Sequence, residues 1–171
     1  MQCFKFNEEW KFEKSDSNSQ LKAFQGEKGA IQVTLPYDAM IREKRTADCP
    51  AGAQSGFYPG GVYTYEKVVF VPEKWKTQDI ALEFEGIYGT ARVWINGGLA
   101  YTNHNGYMGF IIDLKPWLLY GQENTIKIDV DNSCQPNSRW YTGSGIYRDV
   151  NLLIGTELYV PKDGMRITTL S

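Results

Sequence analysis

The segment ARVWINGGLAY, residues 91–101, decides the fold class. Its first half alternates apolar and mostly polar side chains, as at Val93 and Ile95, which is the pattern of a strand with one buried face. Asn96 and Gly97 follow at once, and this pair readily takes the positive φ angles of a two-residue hairpin turn. The segment therefore predicts two antiparallel strands joined by a tight turn.

Similar runs recur along the chain, and turn residues separate them roughly every eight to twelve residues. No stretch carries a sustained helical period. This spacing predicts an all-β fold, a sandwich or jelly roll of mostly antiparallel strands, rather than alternating strands and helices. The predicted strands cover residues 31–35, 63–70, 80–84, 91–95, 109–114, 126–130 and 150–154.

Length and charge narrow the functions open to the chain. Its 171 residues suit one domain with a sizeable core, and its 18 Lys and Arg residues do not outnumber its 20 Asp and Glu residues. No apolar run approaches the roughly 20 residues of a membrane helix, and the start, MQCFKFNEEWKF, lacks the layout of a secretion signal. We predict no nucleic-acid partner and no membrane partner. The cellular compartment stays open.

Aromatic residues make up 14 % of the chain, and the tyrosines and tryptophans fall disproportionately in predicted loops. Aromatic faces offer flat surfaces on which the C–H faces of a sugar can rest while nearby polar groups bind its hydroxyls. This enrichment is the first indication of a carbohydrate ligand.

The single histidine and the three cysteines limit the chemistry available to the chain. A Ser–His–acid triad would need His104 as its base, and no G-x-S-x-G elbow accompanies it. We interpret His104 as a loop residue that bonds backbone and Ser144 as a turn hydroxyl. Cys3, Cys49 and Cys134 form no C-x-x-C pair, so we predict free thiols and no metal site. Spacing alone also permits one disulfide with a spare thiol, which leaves the redox compartment open.

Acidic residues give no catalytic pattern. Glycoside hydrolysis needs two carboxyl groups that flank the scissile bond. Glu83 and Glu85, like Asp129 and Asp131, alternate with apolar residues on predicted strands, and we interpret them as solvated strand faces. The glycines around Ser144 lack the following lysine and helix of a phosphate site. We assign no catalytic residue to this chain.

The bend NSRWYTGSGIYRDV, residues 137–150, concentrates cations and aromatics where small polar residues usually suffice. Two interpretations are open on chain chemistry alone. In the first, the aromatics cover the end of the sandwich and Arg139 pairs with a carboxylate such as Asp131. In the second, Arg139, Trp140 and Tyr141 form a polar and aromatic lip that contacts a ligand.

Two other irregular stretches complete the organisation. Residues 38–61 are rich in glycine, proline and scattered charges, and a loop this long in a compact domain usually has a task or is mobile. Residues 161–171 follow the last predicted strands and begin a new polar and apolar alternation. We therefore predict one domain over residues 1–160, followed by a linker and the start of a further module over residues 161–171.

Several motifs together resemble a known family. LEFEGIYGTARVWINGG, NHNGYMGF, IDLKPWL and GQENTIKIDVDN precede NSRWYTGSGIYRDVNLL in this order. The set strongly resembles the amino-terminal sugar-binding domain of glycoside hydrolase family 2, which includes β-galactosidases, β-glucuronidases and β-mannosidases. The likeness runs from about residue 7 to about residue 153. The common LPHDW of the family appears here as LPYDA, residues 35–39.

The resemblance implies a jelly-roll β-sandwich of the galactose-binding-domain type. In the family this domain precedes an immunoglobulin-like domain and a (β/α)-barrel, and both catalytic glutamates of the retaining mechanism lie on the barrel. Residues 161–171 fit the start of a truncated immunoglobulin-like domain. The resemblance thus implies an inactive piece of an active enzyme, with carbohydrate and the two other domains as its partners.

The resemblance also implies where a sugar would bind. In the family, loops of this domain lean over the barrel mouth, and the matching positions here are Asn137, Ser138, Arg139, Trp140 and Tyr58. Known β-galactosidases carry an aspartate and an asparagine on these loops, and Ser138, Arg139 and Tyr58 stand near those places here. We therefore assign these five residues to substrate binding and expect neither a metal ion nor a cofactor.

The leading hypothesis is a non-catalytic sugar-binding domain of an exo-acting family 2 enzyme, with a β-galactosidase favoured as the parent. The alternative is a free-standing carbohydrate-binding module or lectin, because the same jelly roll serves such modules. A third hypothesis is a scaffold that supports the barrel.

Overall fold

The computed structural model describes residues 1–15, 29–156, 158–160, 162 and 164–169. Within these residues the strands all pair antiparallel, so the all-β prediction is confirmed. No helix in these ranges has the length and apolar character needed to cross a lipid bilayer. The helical segments described are short 3-10 turns at Ala39–Arg42, Gly52–Ser55 and Glu73–Thr77.

The strands fall close to the predicted runs. In chain order they are β1 Gln2–Lys5, β2 Trp10–Lys14, β3 Ile31–Val33, β4 Val62–Val71, β5 Asp79–Phe84, β6 Ile87–Tyr88, β7 Thr90–Ile95, β8 Gly98–Asn103, β9 Phe110–Asp113, β10 Gln122–Asp131, β11 Gly145–Ile146 and β12 Val150–Gly155.

Two sheets make up the sandwich. The larger has six strands in the order β3-β2-β4-β10-β7-β8, and the smaller has four in the order β1-β12-β5-β9. Strands β4 and β10 form the middle of the larger sheet and pair over their full ten residues. A short ladder of β11 with β6 lies beside them. The order of the strands, with few sequence neighbours adjacent, agrees with the predicted jelly roll.

Alternate side chains of the two sheets enclose one hydrophobic core. Ile126, Ile128 and Val130 of β10 are buried, and Leu82 and Phe84 of β5 belong to the same cluster. Burial of apolar surface stabilises a fold by about 25 cal/mol per Å². The largest fully buried side chains are Trp10, Tyr63, Tyr65, Phe84, Met40, Ile80, Leu82, Ile87, Ile95, Leu114, Ile126 and Ile128.

The predicted hairpin is confirmed between β7 and β8. Asn96 and Gly97 have φ angles of 50° and 82°, so both central residues are left-handed, as a type I′ turn requires. The Asn96 amide donates to the Trp117 carbonyl at 2.9 Å and to Asn124 Oδ1 at 2.7 Å. These bonds tie the turn to the segment between β9 and β10 and to the start of β10.

Strands β1, β2, β6 and β11 are absent from the predictions. Strand β2 carries the required alternation, because Trp10 and Phe12 are buried and Lys11 and Glu13 are exposed. Strands β6 and β11 have two residues each, which is too short to give a periodic signal. Strand β1 is exposed at all four positions, so its pairing with β12 leaves no hydrophobic pattern.

Lys162, near the end of the chain, contacts the smaller sheet at Glu83. This contact corrects the interpretation of Glu83 as part of a solvated strand face. Glu83 is only 6 % exposed and is not a solvated strand residue. The Asn151 amide donates to Glu83 at 3.1 Å and to Glu85 at 3.0 Å, and Lys162 Nζ pairs with Glu83. Lys162 belongs to the predicted linker, in which residues 161, 163, 170 and 171 lie outside the described residues.

Candidate functional site

The residues assigned to sugar binding lie on two loops. Asn137, Ser138, Arg139 and Trp140 belong to the bend between β10 and β11, and Tyr58 follows the 3-10 turn Gly52–Ser55. Trp140 is 63 % exposed, and Asn137 and Arg139 are exposed as well. Large exposed side chains of this kind are available to a ligand or to a neighbouring domain.

Asp38 fixes the base of the bend. Its Oδ1 atom accepts the Met40 amide N–H at 3.0 Å and the Ser144 amide N–H at 2.9 Å. Its Oδ2 atom accepts the Tyr141 hydroxyl. Burial raises the pKa of Tyr141, and the Asp38 carboxylate raises it further, so the Tyr141 hydroxyl stays protonated and donates.

Asn132 closes the bend from the other side. Its side-chain amide donates to the Gly143 carbonyl at 3.2 Å and to Ser144 Oγ, and its Oδ1 atom accepts from the Asn137 amide. Asn132 is 3 % exposed and Ser144 is 0 % exposed. One buried side chain therefore connects both ends of the segment that presents Ser138, Arg139 and Trp140.

Tyr58 meets the bend through an aromatic contact. Its ring lies edge to face with that of Tyr141, with 5.7 Å between centroids, and the Arg45 guanidinium lies 5.7 Å from the Tyr58 centroid. The Tyr58 carbonyl accepts from Ser55 Oγ at 2.9 Å and from Cys49 Sγ at 3.2 Å. These contacts bring the two predicted loops together.

An open cleft of about 570 Å³ lies beside the bend. Asn137 is the predicted sugar contact found among its described lining residues, so the cleft and the bend share one wall. Amide and phenol groups dominate the lining, and both kinds bind sugar hydroxyls. The cleft is lined by Tyr88, Gly89, Thr90, His104, Asn105, Gly106, Tyr107, Asp131, Asn132, Cys134 and Asn137.

Two tyrosines give the cleft its aromatic surface. The rings of Tyr88 and Tyr107 are 5.5 Å apart in an edge-to-face arrangement, and Tyr107 is 56 % exposed. Burial raises the pKa of Tyr88, while the Thr142 hydroxyl acts in the opposite direction. The Tyr88 phenol therefore stays neutral near pH 7, and its hydroxyl already interacts with the side chains of Thr142 and Tyr107.

The predicted ion pair of Arg139 with Asp131 is not found in the structure of the described residues. The Asp131 carboxylate accepts the Ser133 amide N–H at 3.0 Å and the Ser133 hydroxyl at 2.6 Å. These bonds lower the pKa of Asp131. No ion pair joins Arg139 to Asp131 in the described part of the chain, so the proposed pairing is wrong and Arg139 is exposed.

Other assignments are settled by the same geometry. Ser144 is enclosed and hydrogen-bonded, which confirms a structural hydroxyl. His104 lines the cleft and makes no hydrogen bond to backbone within the described ranges, so that part of its interpretation is wrong. Cys3, Cys49 and Cys134 are free thiols. Among the described residues, no three His, Cys, Asp or Glu side chains come together in a group that could hold a metal ion.

Sequence reasoning missed Asp38, Asn132, Tyr88, Asn105 and Tyr107 as residues of the site. NHNGYMGF contains two of them, and its tyrosine and asparagines next to a predicted strand were the available signal. Asp38 and Asn132 gave no comparable signal, because their role depends on contacts made only in the folded chain.

A comparison of the sequence with protein families identifies the family. The model of the family described as "Glycosyl hydrolases family 2, sugar binding domain" matches residues 5–155. The chain belongs to this family. Members are therefore the appropriate relatives against which to judge the cleft and the bend.

Individual relatives of the family include enzymes of two specificities. The β-galactosidase BoGH2A of Bacteroides ovatus is 34% identical over 166 residues, which cover 97% of this chain and 20% of that protein. A putative β-glucuronidase of Formosa agariphila is 30% identical over 148 residues, which cover 86% of this chain and 14% of that protein. The chain therefore spans about a fifth or less of the length of these relatives.

Solved structures of the family share the fold. A family 2 glycosyl hydrolase of Bacteroides cellulosilyticus superposes with a TM-score of 0.81 and 33% identity over 91% of this chain and 21% of that one. A β-glycosidase of Bacteroides vulgatus gives a TM-score of 0.78 and 35% identity over 90% of this chain and 20% of that one. The jelly-roll β-sandwich is thus the fold of this chain.

Proposed function

We propose that this chain is the amino-terminal sugar-binding domain of an exo-acting, retaining glycoside hydrolase of family 2. In this proposal its bend and cleft form part of the wall around the terminal β-linked sugar. The catalytic carboxyl groups belong to a barrel domain of the same parent chain, and an immunoglobulin-like domain lies between the two. The parent enzyme is a β-galactosidase.

The observation that carries the proposal is the open cleft that shares Asn137 with the exposed bend. Ligand pockets usually bury about 70–90% or more of a small ligand, and a cleft open to solvent encloses much less. A second surface is therefore needed to complete the pocket. Exposed Trp140 and Tyr107 at this place are suited to contact such a surface.

Charge in the cleft favours a neutral sugar over a uronate. Asp131 contributes a carboxylate, and no lysine or arginine is found among the described residues that line the cleft. A glucuronate carboxylate inside the cleft would meet the like charge of Asp131, whereas the cation of the bend, Arg139, is not among the lining residues. This supports a β-galactosidase as the parent in a family whose relatives also include β-glucuronidases.

The five predicted contacts take complementary roles in this proposal. Arg139 donates hydrogen bonds to sugar hydroxyls, and Ser138 and Asn137 add polar groups beside it. Trp140 and Tyr58 form aromatic walls against the C–H faces of the sugar. The edge-to-face contact of Tyr58 with Tyr141 supports a fixed orientation for the second of these walls.

Calorimetry on the 171-residue chain tests whether the pocket is shared. Galactose, glucuronate and mannose should each bind weakly or undetectably, because half of the pocket is missing. Micromolar affinity for any of them would contradict the proposal and favour the free-standing module or lectin. The gene beyond Ser171 gives a second test, since a stop codon there would also favour the lectin.

A longer protein that contains the barrel tests the assigned roles. Activity should be higher on a nitrophenyl β-galactoside than on the β-glucuronide, and Arg139→Ala should raise KM for the preferred substrate. Lys11→Ala, which removes a cation at an exposed position on β2, is the control. Unchanged activity with lowered stability in Arg139→Ala would support the scaffold hypothesis instead.

A further inference from the structure

We propose that Asp38 is a positioning residue that holds the bend at residues 137–144 and the loop at residues 38–61 in one fixed arrangement. This inference rests on the proposed function in one respect, namely that the two segments contact a sugar. Asp38 itself reaches neither the exposed tip of the bend nor the cleft lining. Its effect on a ligand would pass through the residues that it binds.

The Asp38 carboxylate bonds to both segments at once. Within its own loop it accepts the Met40 amide N–H at 3.0 Å and begins the 3-10 turn Ala39–Arg42. Across the gap it accepts the Ser144 amide N–H at 2.9 Å and the Tyr141 hydroxyl. The Ala39 amide also donates to the Ser144 carbonyl at 2.8 Å. Hydrogen bonds to an ionised carboxylate are stronger than neutral ones, so this residue is a firm attachment.

Tyr141 extends the attachment to the other predicted wall. Its hydroxyl is held by Asp38 and its ring packs edge to face with Tyr58, 5.7 Å between centroids. The Tyr58 carbonyl is held by Ser55 and Cys49 at the far end of the same loop. The contacts from Asp38 through Tyr141 to Tyr58 therefore connect the two predicted walls.

Gly143 shows how closely the backbone of the bend approaches Asp38. A Cβ atom at this position would lie 2.8 Å from Asp38 Oδ2, and the φ angle of +72° is one that residues with side chains rarely adopt. Both features make glycine necessary here. The close approach depends on the Asp38 carboxylate, whereas the φ angle does not. Mutation of Asp38 can therefore separate the effect of the contact from the effect of the backbone conformation.

The tip of the bend is free while its base is held. Asp38 and Asn132 bind residues near the base, at Tyr141, Gly143 and Ser144. At the tip, the Trp140 amide N–H donates to Ser138 Oγ at 3.3 Å, a bond within the bend itself. A fixed base with an exposed tip is the arrangement expected of a segment that presents side chains to a ligand.

Amide hydrogen exchange in the 171-residue chain without sugar tests the inference. Asp38→Ala should speed exchange at the Ser144 and Met40 amides about tenfold or more, because each loses a charge-assisted hydrogen bond. The Ile128 amide in the core should be unchanged, and a fluorotryptophan resonance at Trp140 should shift. Asp113→Ala is the matched control, since Asp113 accepts the Lys115 amide N–H at 3.0 Å elsewhere in the fold.

Asp38→Asn supplies a conservative rescue. The asparagine oxygen can accept both amide N–H groups and its NH₂ group can meet the Tyr141 oxygen, so exchange at Ser144 should stay near that of the unmodified chain. Unchanged exchange at Ser144 and Met40 in Asp38→Ala would overturn the inference. Equal acceleration at every amide would also overturn it, because Asp38 would then support the fold as a whole.

A double-mutant cycle tests the close contact independently. Gly143→Ala should speed amide exchange at Ser144 in the unmodified chain. In the Asp38→Ala chain, the acceleration caused by Gly143→Ala should be roughly fivefold to tenfold smaller. Independent effects of the two substitutions would contradict the contact. Since none of these measurements uses a sugar, their outcome stands apart from the sugar tests of the proposed function.

Discussion

Asn132 uses both the NH₂ group and the oxygen of its side-chain amide, so a residue without one donor and one acceptor cannot replace it. The NH₂ group donates to Gly143 and Ser144, and the oxygen accepts from Asn137. A carboxylate of the same shape would place an acceptor against the Gly143 carbonyl inside a site that is 3 % exposed. Burial of an unpaired charge costs far more than the loss of one hydrogen bond.

Asn132→Asp should therefore destabilise the chain more than Asn132→Ala at pH 7. We expect a loss of about 1–3 kcal/mol for the alanine, from an unsatisfied carbonyl, and a larger loss for the aspartate. Urea unfolding measures both. The gap should narrow at pH 5, because a buried carboxyl takes up a proton more readily. Equal losses at pH 7 would contradict this account of the site.

The sequence could indicate the exposed residues of the site but not those that hold them. Arg139 and Trp140 stand out because large side chains are unusual in a bend. Asp38 is separated from Ser144 by 106 positions, and an aspartate before a short turn is common. Its partners depend on the pairing of distant segments, which local patterns do not encode. The mistaken pair of Arg139 with Asp131 has a local cause instead, because the Asp131 carboxylate accepts hydrogen bonds from Ser133, its near neighbour in the chain.

The β7–β8 hairpin shows two different demands at one turn. Asn96 has a φ angle of 50° and also binds Trp117, Asn124 and the Thr125 amide N–H through its side chain. Gly97 has a φ angle of 82°, but an added Cβ atom would have no neighbour within 4 Å. Asn96 thus provides both the left-handed backbone conformation and side-chain hydrogen bonds, whereas Gly97 provides the left-handed backbone conformation alone.

Asn96→Ala should consequently cost more than Gly97→Ala. A left-handed alanine is strained by about 1–2 kcal/mol relative to glycine, and Asn96 already carries part of this strain in the unmodified chain. At Asn96 the lost bond to the buried Asn124 adds about 1–3 kcal/mol. Thermal or urea unfolding of the two variants gives the comparison. A greater loss for Gly97→Ala would mean that turn conformation outweighs the side-chain bonds.

Long strands with clear alternation could be predicted most readily, although β2 alternates over five residues and is absent from the predictions. Strands β4, β5, β7 and β10 are of this kind and fall at or near the predicted runs. Strand β1 is not, because it lies at a sheet edge and none of its side chains is buried. Edge strands depend on backbone pairing, which leaves little trace in the side-chain pattern.

At the scale of the whole molecule, the first and last of the described strands pair in one sheet. Strand β1 pairs with β12, and Asp149, just before β12, binds Lys5 Nζ and accepts the Asn7 amide at 2.9 Å. The Lys5 ammonium, with a further contribution from Asn7, holds the pKa of Asp149 below its ordinary value. This contact joins the start of the chain to its last strand.

Stability should decline in acid as this contact is lost. A carboxyl whose pKa is lower in the folded chain stabilises the fold above its unfolded pKa of about 3.9, and this contribution fades as the pH falls through the folded value. The melting temperature should therefore fall below about pH 4. Asp149→Asn should show a smaller fall than the unmodified chain, and Asp113→Asn should not. Identical acid profiles for the two variants would contradict the role of Asp149.

The ion pair of Lys162 with Glu83 affects how the sandwich can be separated from whatever follows it. The smaller sheet takes a cation from beyond β12, its last strand along the chain. Proteolytic cleavage between Val160 and Lys162 would remove the ammonium and leave Glu83 and Glu85 joined by the Asn151 amide. Digestion there would yield a fragment whose two neighbouring carboxylates lack the Lys162 ammonium, and it should unfold at a lower urea concentration near pH 7 than the intact chain.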